Sequence, residues 1–212
     1  VLASGRGSNL AALLDARERG ELPVEFVLVG SDKAAAGALR LAEAANIRTL
    51  ALDPRSYPDR RAFDLELFAH ITASGAEWLV LAGFMRILDG EALRPWVGRI
   101  INIHPSLLPK YRGLHTHRRA LEAGDAEHGA SVHFVTAELD GGPVIAQARL
   151  SIVTGDNEQS LAERLLPLEH RLLPAVLAEL VRGRLQWHEQ APRFDGQPLL
   201  RPLQLGELGL QP

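Results

Sequence analysis

The chain has 212 residues, 46% apolar and 23% charged, the size and make-up of one α/β domain or at most two small ones. Its 23 basic and 26 acidic residues leave a formal charge of −3, so no cationic field points to nucleic acid or an anionic membrane. Cysteine is absent, which removes disulfides, thiolate metal sites and a cysteine nucleophile, and no run of eighteen apolar residues is present to span a bilayer.

Val1-Leu2-Ala3 reads as the tail of a strand whose start lies before residue 1, and no basic stretch followed by an apolar run suggests a leader. The segments 24–29, 78–82 and 99–103 are short, β-rich and bounded by turn residues, as buried strands are. Between them, 9–19, 34–45 and 58–72 carry apolar residues at helical spacing. This alternation predicts βαβ units and a mostly parallel central sheet with helices on both faces. Further on, 130–135 and 143–150 flank the turn signal Asp140-Gly141-Gly142 and predict an antiparallel hairpin at one side of the sheet. A long helical pattern over 157–180 is expected to break at Pro167 and again near Pro174. The segment 182–212, rich in Gly, Pro and Gln, reads as an irregular tail with one short strand at 185–188, packed on a single domain spanning 1–212.

Three constellations could carry chemistry. Ser4-Gly5-Arg6-Gly7-Ser8-Asn9 follows the first strand and opens the first helix, where free backbone amides and the helix dipole favour an anion. It lacks the lysine of a Walker loop and the third glycine of a dinucleotide fingerprint, and its bland reading is a glycine turn with a serine cap. Asn102 and His104 lie two apart on a strand that Pro105 ends, so they share a face about 7 Å apart. Such an amide can donate to a carbonyl oxygen gaining charge, and such an imidazole can move a proton; the alternative is a strand end whose polar residues satisfy nearby loops. Asp140, leading into a glycine turn, would orient His104 and raise its pKa if the two met, and is otherwise an ordinary turn aspartate.

Eight histidines include five between His104 and His133, where uniform scatter would put roughly one. His115, His117, His104, Asp125, Glu127 and His128 contain enough ligand types for zinc, yet no metal-binding spacing appears and no metal is expected. His133 alternates with apolar neighbours and reads as a strand residue with one hydrogen-bond partner, whereas His115 and His117 read as loop residues near the site.

SGRGSNL at 4–10, LAGFMRIL at 81–88, INIHPSLLPKYRGLHTHRRALEAGDAEHGASVHFV at 101–135 and ELDGGPVIAQ at 138–147 strongly resemble the phosphoribosylglycinamide formyltransferases. The likeness runs in register from Ser4 to about Gly196. It implies a Rossmann-like formyltransferase fold. It also implies transfer of a formyl group from 10-formyltetrahydrofolate, as co-substrate, to the amine of 5-phosphoribosylglycinamide in purine synthesis, through a tetrahedral oxyanion. By resemblance, Asn102, His104 and Asp140 match the catalytic trio, with Asp140 keeping His104 charged. Gly7, Ser8 and Asn9 match the substrate phosphate loop, and Glu169 an acidic contact to the glycinamide. Arg60, Met85, Arg86, Ile87 and Leu88 match the folate side, as do Asn102 and the bordering loop Val135, Thr136, Ala137, Glu138, Leu139 and Asp140.

Formyltetrahydrofolate hydrolases share the Asn-x-His and Leu-Asp-x-Gly elements, so a hydrolase is the alternative. Partners are expected to be small molecules, with no nucleic acid or membrane, in a cytoplasmic monomer or homodimer. Two departures stand out: Arg112 occupies a position where the family often has proline, and Pro167-Leu168 before Glu169 is more apolar than usual.

Overall fold

The computed structural model describes residues 1–209. Its elements run α1 (Ser8–Glu18), β1 (Val29–Ser31), α2 (Gly37–Ala44), β2 (Thr49–Ala51), α3 (Arg60–Ala73), β3 (Leu79–Leu81), α4 (Gly90–Leu93), β4 (Ile100–His104), α5 (Thr116–Glu122), β5 (Glu127–Phe134), β6 (Val144–Ser151) and α6 (Glu158–Val181). The chain then forms β7 (Leu185–His188), β8 (Ala191–Phe194), β9 (Gln197–Pro198) and β10 (Leu203–Gln204).

Leu2 sits at the middle of the sheet, bridging in parallel to Gly30 of β1 and Leu81 of β3. Its N–H donates to Val80 at 2.8 Å and its carbonyl accepts from Ala82 at 2.9 Å. β1 pairs with β2 and β3 with β4, both in parallel, whereas β5 runs antiparallel to β4 and to β6. The parallel strands therefore end on one rim, where open α/β sheets take their ligands. The hairpin of β5 and β6 falls at one side, as the Asp140-Gly141-Gly142 signal predicts.

Alternation along β4 sorts its side chains. Ile101 and Ile103 pack with Leu165, Leu172, Leu173 and Val176 of α6, while Ile100 joins Phe63, Leu67 and Ile71 of α3. Helices thus cover both faces.

Three expectations need correction. Only Val29 of the predicted 24–29 strand lies in the ladder, because β2 begins at Thr49, opposite Val29, and leaves 24–28 without it as a neighbour. The long helix does not break: α6 is continuous through Pro167 and Pro174. An internal proline costs about 3 kcal/mol. The buried face Leu161, Leu165, Leu172, Leu173 and Val176 gains about 1.5–3 kcal/mol per side chain and outweighs it. Finally, 182–209 is ordered rather than irregular. β7, β8 and β9 form an antiparallel sheet and β10 joins β6 in parallel, while 210–212 lie outside the described residues. The strand at 185–188 is present, with Trp187 packed edge-on against Phe134 at 4.9 Å between ring centroids.

Candidate active site

β4 carries Asn102 and His104 to the sheet rim, and Asp140 returns to them from the loop after β5. That loop folds back tightly: Asp140 has φ 46°, and a Cβ on Gly142 would fall 1.9 Å from the Phe134 carbonyl. Asp140 Oδ2 stands 3.5 Å from His104 Nδ1 and accepts the Gly113 N–H at 2.8 Å. The other His104 nitrogen, Nε2, donates to the Tyr111 carbonyl at 2.9 Å. Asp140, the third residue that the resemblance implies, is therefore brought to the pair that the strand pattern selects.

A fourth residue joins it that the sequence reading set aside. His133 lies opposite Asn102 in the β4–β5 ladder. Its Nδ1–H donates to the Phe134 carbonyl at 2.8 Å, and in that tautomer Nε2 is an acceptor. That nitrogen takes an N–H from Asn102 Nδ2 at 3.1 Å and lies 3.7 Å from Asp140 Oδ1. His133 thus touches two members of the trio and has more than one partner. The available signal was its strand phase, but only the inter-strand register turns that phase into a contact.

Burial corrects the expected charge of His104. Desolvation outweighs the Tyr111 carbonyl and the Asp140 carboxylate, and holds its pKa below the ordinary histidine value of 6.5. The resting ring is neutral at pH 7 rather than charged. Burial also acts to raise Asp140, but its contacts with His133, His104 and the Gly113 N–H overcome it and leave Asp140 below the usual carboxylate value.

At the start of α1, Gly7 is the N-cap residue, with φ 86°. A Cβ there would meet the Ala38 Cα at 2.7 Å, so the conformation and the close approach of α2 both require glycine. No side chain caps α1 and no acidic residue sits in its first turn, which leaves first-turn amides free for an anion and displaces the serine-cap reading. Asn9 is buried and its Nδ2 donates to Glu169 Oε2 at 3.0 Å. One of its two side-chain N–H groups is therefore occupied, and its backbone N–H faces no capping group at the start of α1. Glu169, halfway along α6, is buried and its pKa is raised by desolvation, against the Asn9 hydrogen bond.

The segments matched to folate flank the trio. Met85 and Ile87 expose 68% and 48% of their surface, and Leu139 45%, an apolar lining that a globular protein ordinarily covers. The two loops meet where a Cβ on Gly90 would lie 3.3 Å from Ala137. Ser4 Oγ accepts the Met85 N–H at 2.9 Å and so ties this wall to the anion loop. The Leu88 side chain is buried with Phe63 and Leu93, which leaves its backbone to face the site. Arg86 lies over the Phe63 ring at 4.5 Å, and Arg60 is exposed at the first turn of α3. Thr136 follows Val135, whose N–H donates to Ile100, and Glu138 pairs with Arg112 across the site.

His117 is placed on α5 rather than in a loop, with Nδ1 2.9 Å from Nε2 of buried His128. His115 precedes α5 in the left-handed region, at φ 59°. Among the described residues, no three His, Asp or Glu side chains gather as a metal site would need.

Fold and site together describe a Rossmann-like enzyme with an amide, an imidazole and a carboxylate at its strand ends. The formyl transferase family model matches residues 1–177. The phosphoribosylglycinamide formyltransferase of Escherichia coli (strain K12) is 49% identical over 199 residues, 94% of each chain. The trifunctional purine biosynthetic protein adenosine-3 of Drosophila pseudoobscura pseudoobscura is 45% identical over 188 residues, 88% of this chain and 14% of that longer one. The phosphoribosylglycinamide formyltransferase structure from Coxiella burnetii superposes with a TM-score of 0.92 at 45% identity, covering 96% of both chains. The chain belongs to the formyl transferase family.

Proposed function

We propose that this enzyme carries the formyl group of 10-formyltetrahydrofolate to the amine of 5-phosphoribosylglycinamide. The observation that carries this reading is the contact set Asn102–His133–Asp140–His104 at the rim of the parallel strands. The substrate phosphate rests on the α1 amides at Gly7, Ser8 and Asn9, which need no basic surface to bind it. Glu169, fixed by Asn9, receives the glycinamide end, and the apolar wall of Met85, Ile87 and Leu139 receives the folate.

The amine attacks the formyl carbon and its carbonyl oxygen becomes an oxyanion. Asn102 keeps one amide N–H on His133 and presents the other to that oxyanion, a donor contribution of about 3–4 kcal/mol where such groups have been removed. His104, neutral at rest, takes part in moving the amine proton to folate N10. When the ring is protonated, both of its N–H groups have acceptors in place, Tyr111 and Asp140. The tetrahedral intermediate then collapses, the C–N10 bond breaks and tetrahydrofolate leaves. No covalent enzyme intermediate is required.

No helix among the described residues is long and apolar enough to cross a membrane. A cytoplasmic monomer or homodimer working without metal belongs to the same proposal, and undiminished turnover in excess EDTA is its expected outcome. The deciding assay follows tetrahydrofolate release with and without the glycinamide acceptor. Release that requires the acceptor supports the transferase; equal release without it establishes the hydrolase.

A further inference from the structure

Asp64 is a buried acid that the reaction above does not use. It lies on α3 with 0% of its surface exposed, between Phe63 and Leu65 and one turn from Leu67. Phe63 and Leu67 belong to the apolar cluster beneath the 85–88 loop. Oδ2 accepts the Asp89 N–H at 2.7 Å, and Oδ1 is buried with no hydrogen-bond partner. A carboxyl in such surroundings is costly to desolvate, so a structural filler would more simply be apolar.

Asp89 closes the 85–88 loop and caps α4 through its own side chain, which accepts from Glu91 and Ala92. The loop is thus tied at both ends. Ser4 Oγ holds the Met85 N–H in front and Asp64 holds the Asp89 N–H behind, with Leu88 sunk into the core between them. Met85 and Ile87, the exposed apolar residues of the wall, ride on the stretch between these anchors. Arg86 and Arg60 are charged neighbours of Asp64, and the Arg86 Nε is buried without a partner.

We propose that Asp64 is a positioning residue for the formyl donor, holding the Asp89 amide from inside the core and so fixing the 85–88 loop as a rigid wall. This rests on the reading of that loop as the folate side. Preorganisation of a loop lowers the ordering cost of binding, so its loss raises KM for the ligand that meets the loop and for no other.

The test is steady-state kinetics and thermal melting on the full chain carrying Asp64→Ala, Asp64→Asn or Ile87→Ala. Asp64→Ala is expected to raise the donor KM about tenfold, the loss that follows from one buried hydrogen bond, with kcat and acceptor KM within about twofold. Asp64→Asn keeps an oxygen for the Asp89 N–H and stays within about threefold of wild type. Ile87→Ala, on the wall itself, raises the donor KM independently. A donor KM unmoved by Asp64→Ala but raised by Ile87→Ala overturns the positioning role and spares the reading of the loop. A donor KM unmoved by either overturns both. Equal rises in both KM values, or a fall in melting temperature alone, reduce Asp64 to a structural residue and overturn the proposal. Should Asp64→Ala not fold, Asp64→Ser gives the same readings.

Discussion

Asn102 and His133 face each other across the β4–β5 ladder, and the Asn102 amide donates to His133 Nε2 at 3.1 Å. Because Nδ1 of the same ring is committed to the Phe134 carbonyl, the amide orientation is set by the sheet itself. His133 thus holds Asn102 in the orientation that the proposed oxyanion contact needs. Asn102→Ala is expected to lower kcat by about 10²–10³-fold, as loss of one such donor does. His133→Ala should lower it by about tenfold or more, and the double variant should be little worse than Asn102→Ala. A fully additive pair would show that His133 acts elsewhere.

Replacing His104 by Ala removes the proposed proton carrier. Turnover should fall by about 10²–10⁴-fold, the usual acid–base contribution. Circular dichroism and melting should show that the domain still folds, since the β4 isoleucines keep their packing.

The pH dependence of turnover follows from burial. His104 must be neutral to accept a proton, and its folded pKa lies below 6.5, so kcat should hold steady as pH drops from neutral and fall only below that value. Asp140, held low, stays ionised throughout. An acid limb centred well above 6.5 would contradict this assignment.

Stability has its own pH signature. Burial, joined by the charge of His117, lowers His128 from 6.5 to about 4, so the unfolded chain takes up a proton before the folded one. Stability from this group is complete above pH 6.5 and is lost as pH falls from 6.5 toward about 4. Melting temperature should decline across that window, and His128→Asn should make the decline shallower.

On the acceptor side, Glu169→Gln should raise the ribonucleotide KM by about tenfold while leaving the donor KM within about twofold, if Glu169 meets the acceptor alone as proposed. Steady-state kinetics with each substrate varied in turn separates the two.

What the sequence made legible was local. The two-residue period of β4 selected His104 from five clustered histidines, and the glycines at 5 and 7 marked the strand–helix junction. Contacts that depend on register or long-range packing were hidden. His133 reaches the trio only through its place opposite Asn102, and only the packing shows that the Leu88 side chain enters the core. Pro167 and Pro174 misled because their local cost is smaller than the burial along α6. The charge of His104 was misread because sequence reveals a carboxylate neighbour but not the depth at which the pair lies.

Unbroken, α6 delivers Glu169 to Asn9 from 160 residues along the chain. During synthesis, the loop and helix proposed to hold the phosphate leave the ribosome first, and Glu169 emerges only after β1 to β4 and the hairpin of β5 and β6. The Asn9–Glu169 contact, and with it the proposed acceptor pocket, therefore cannot form on an incomplete nascent chain. On the proposed function, acceptor affinity doubles as a readout that translation and folding have both passed the middle of α6.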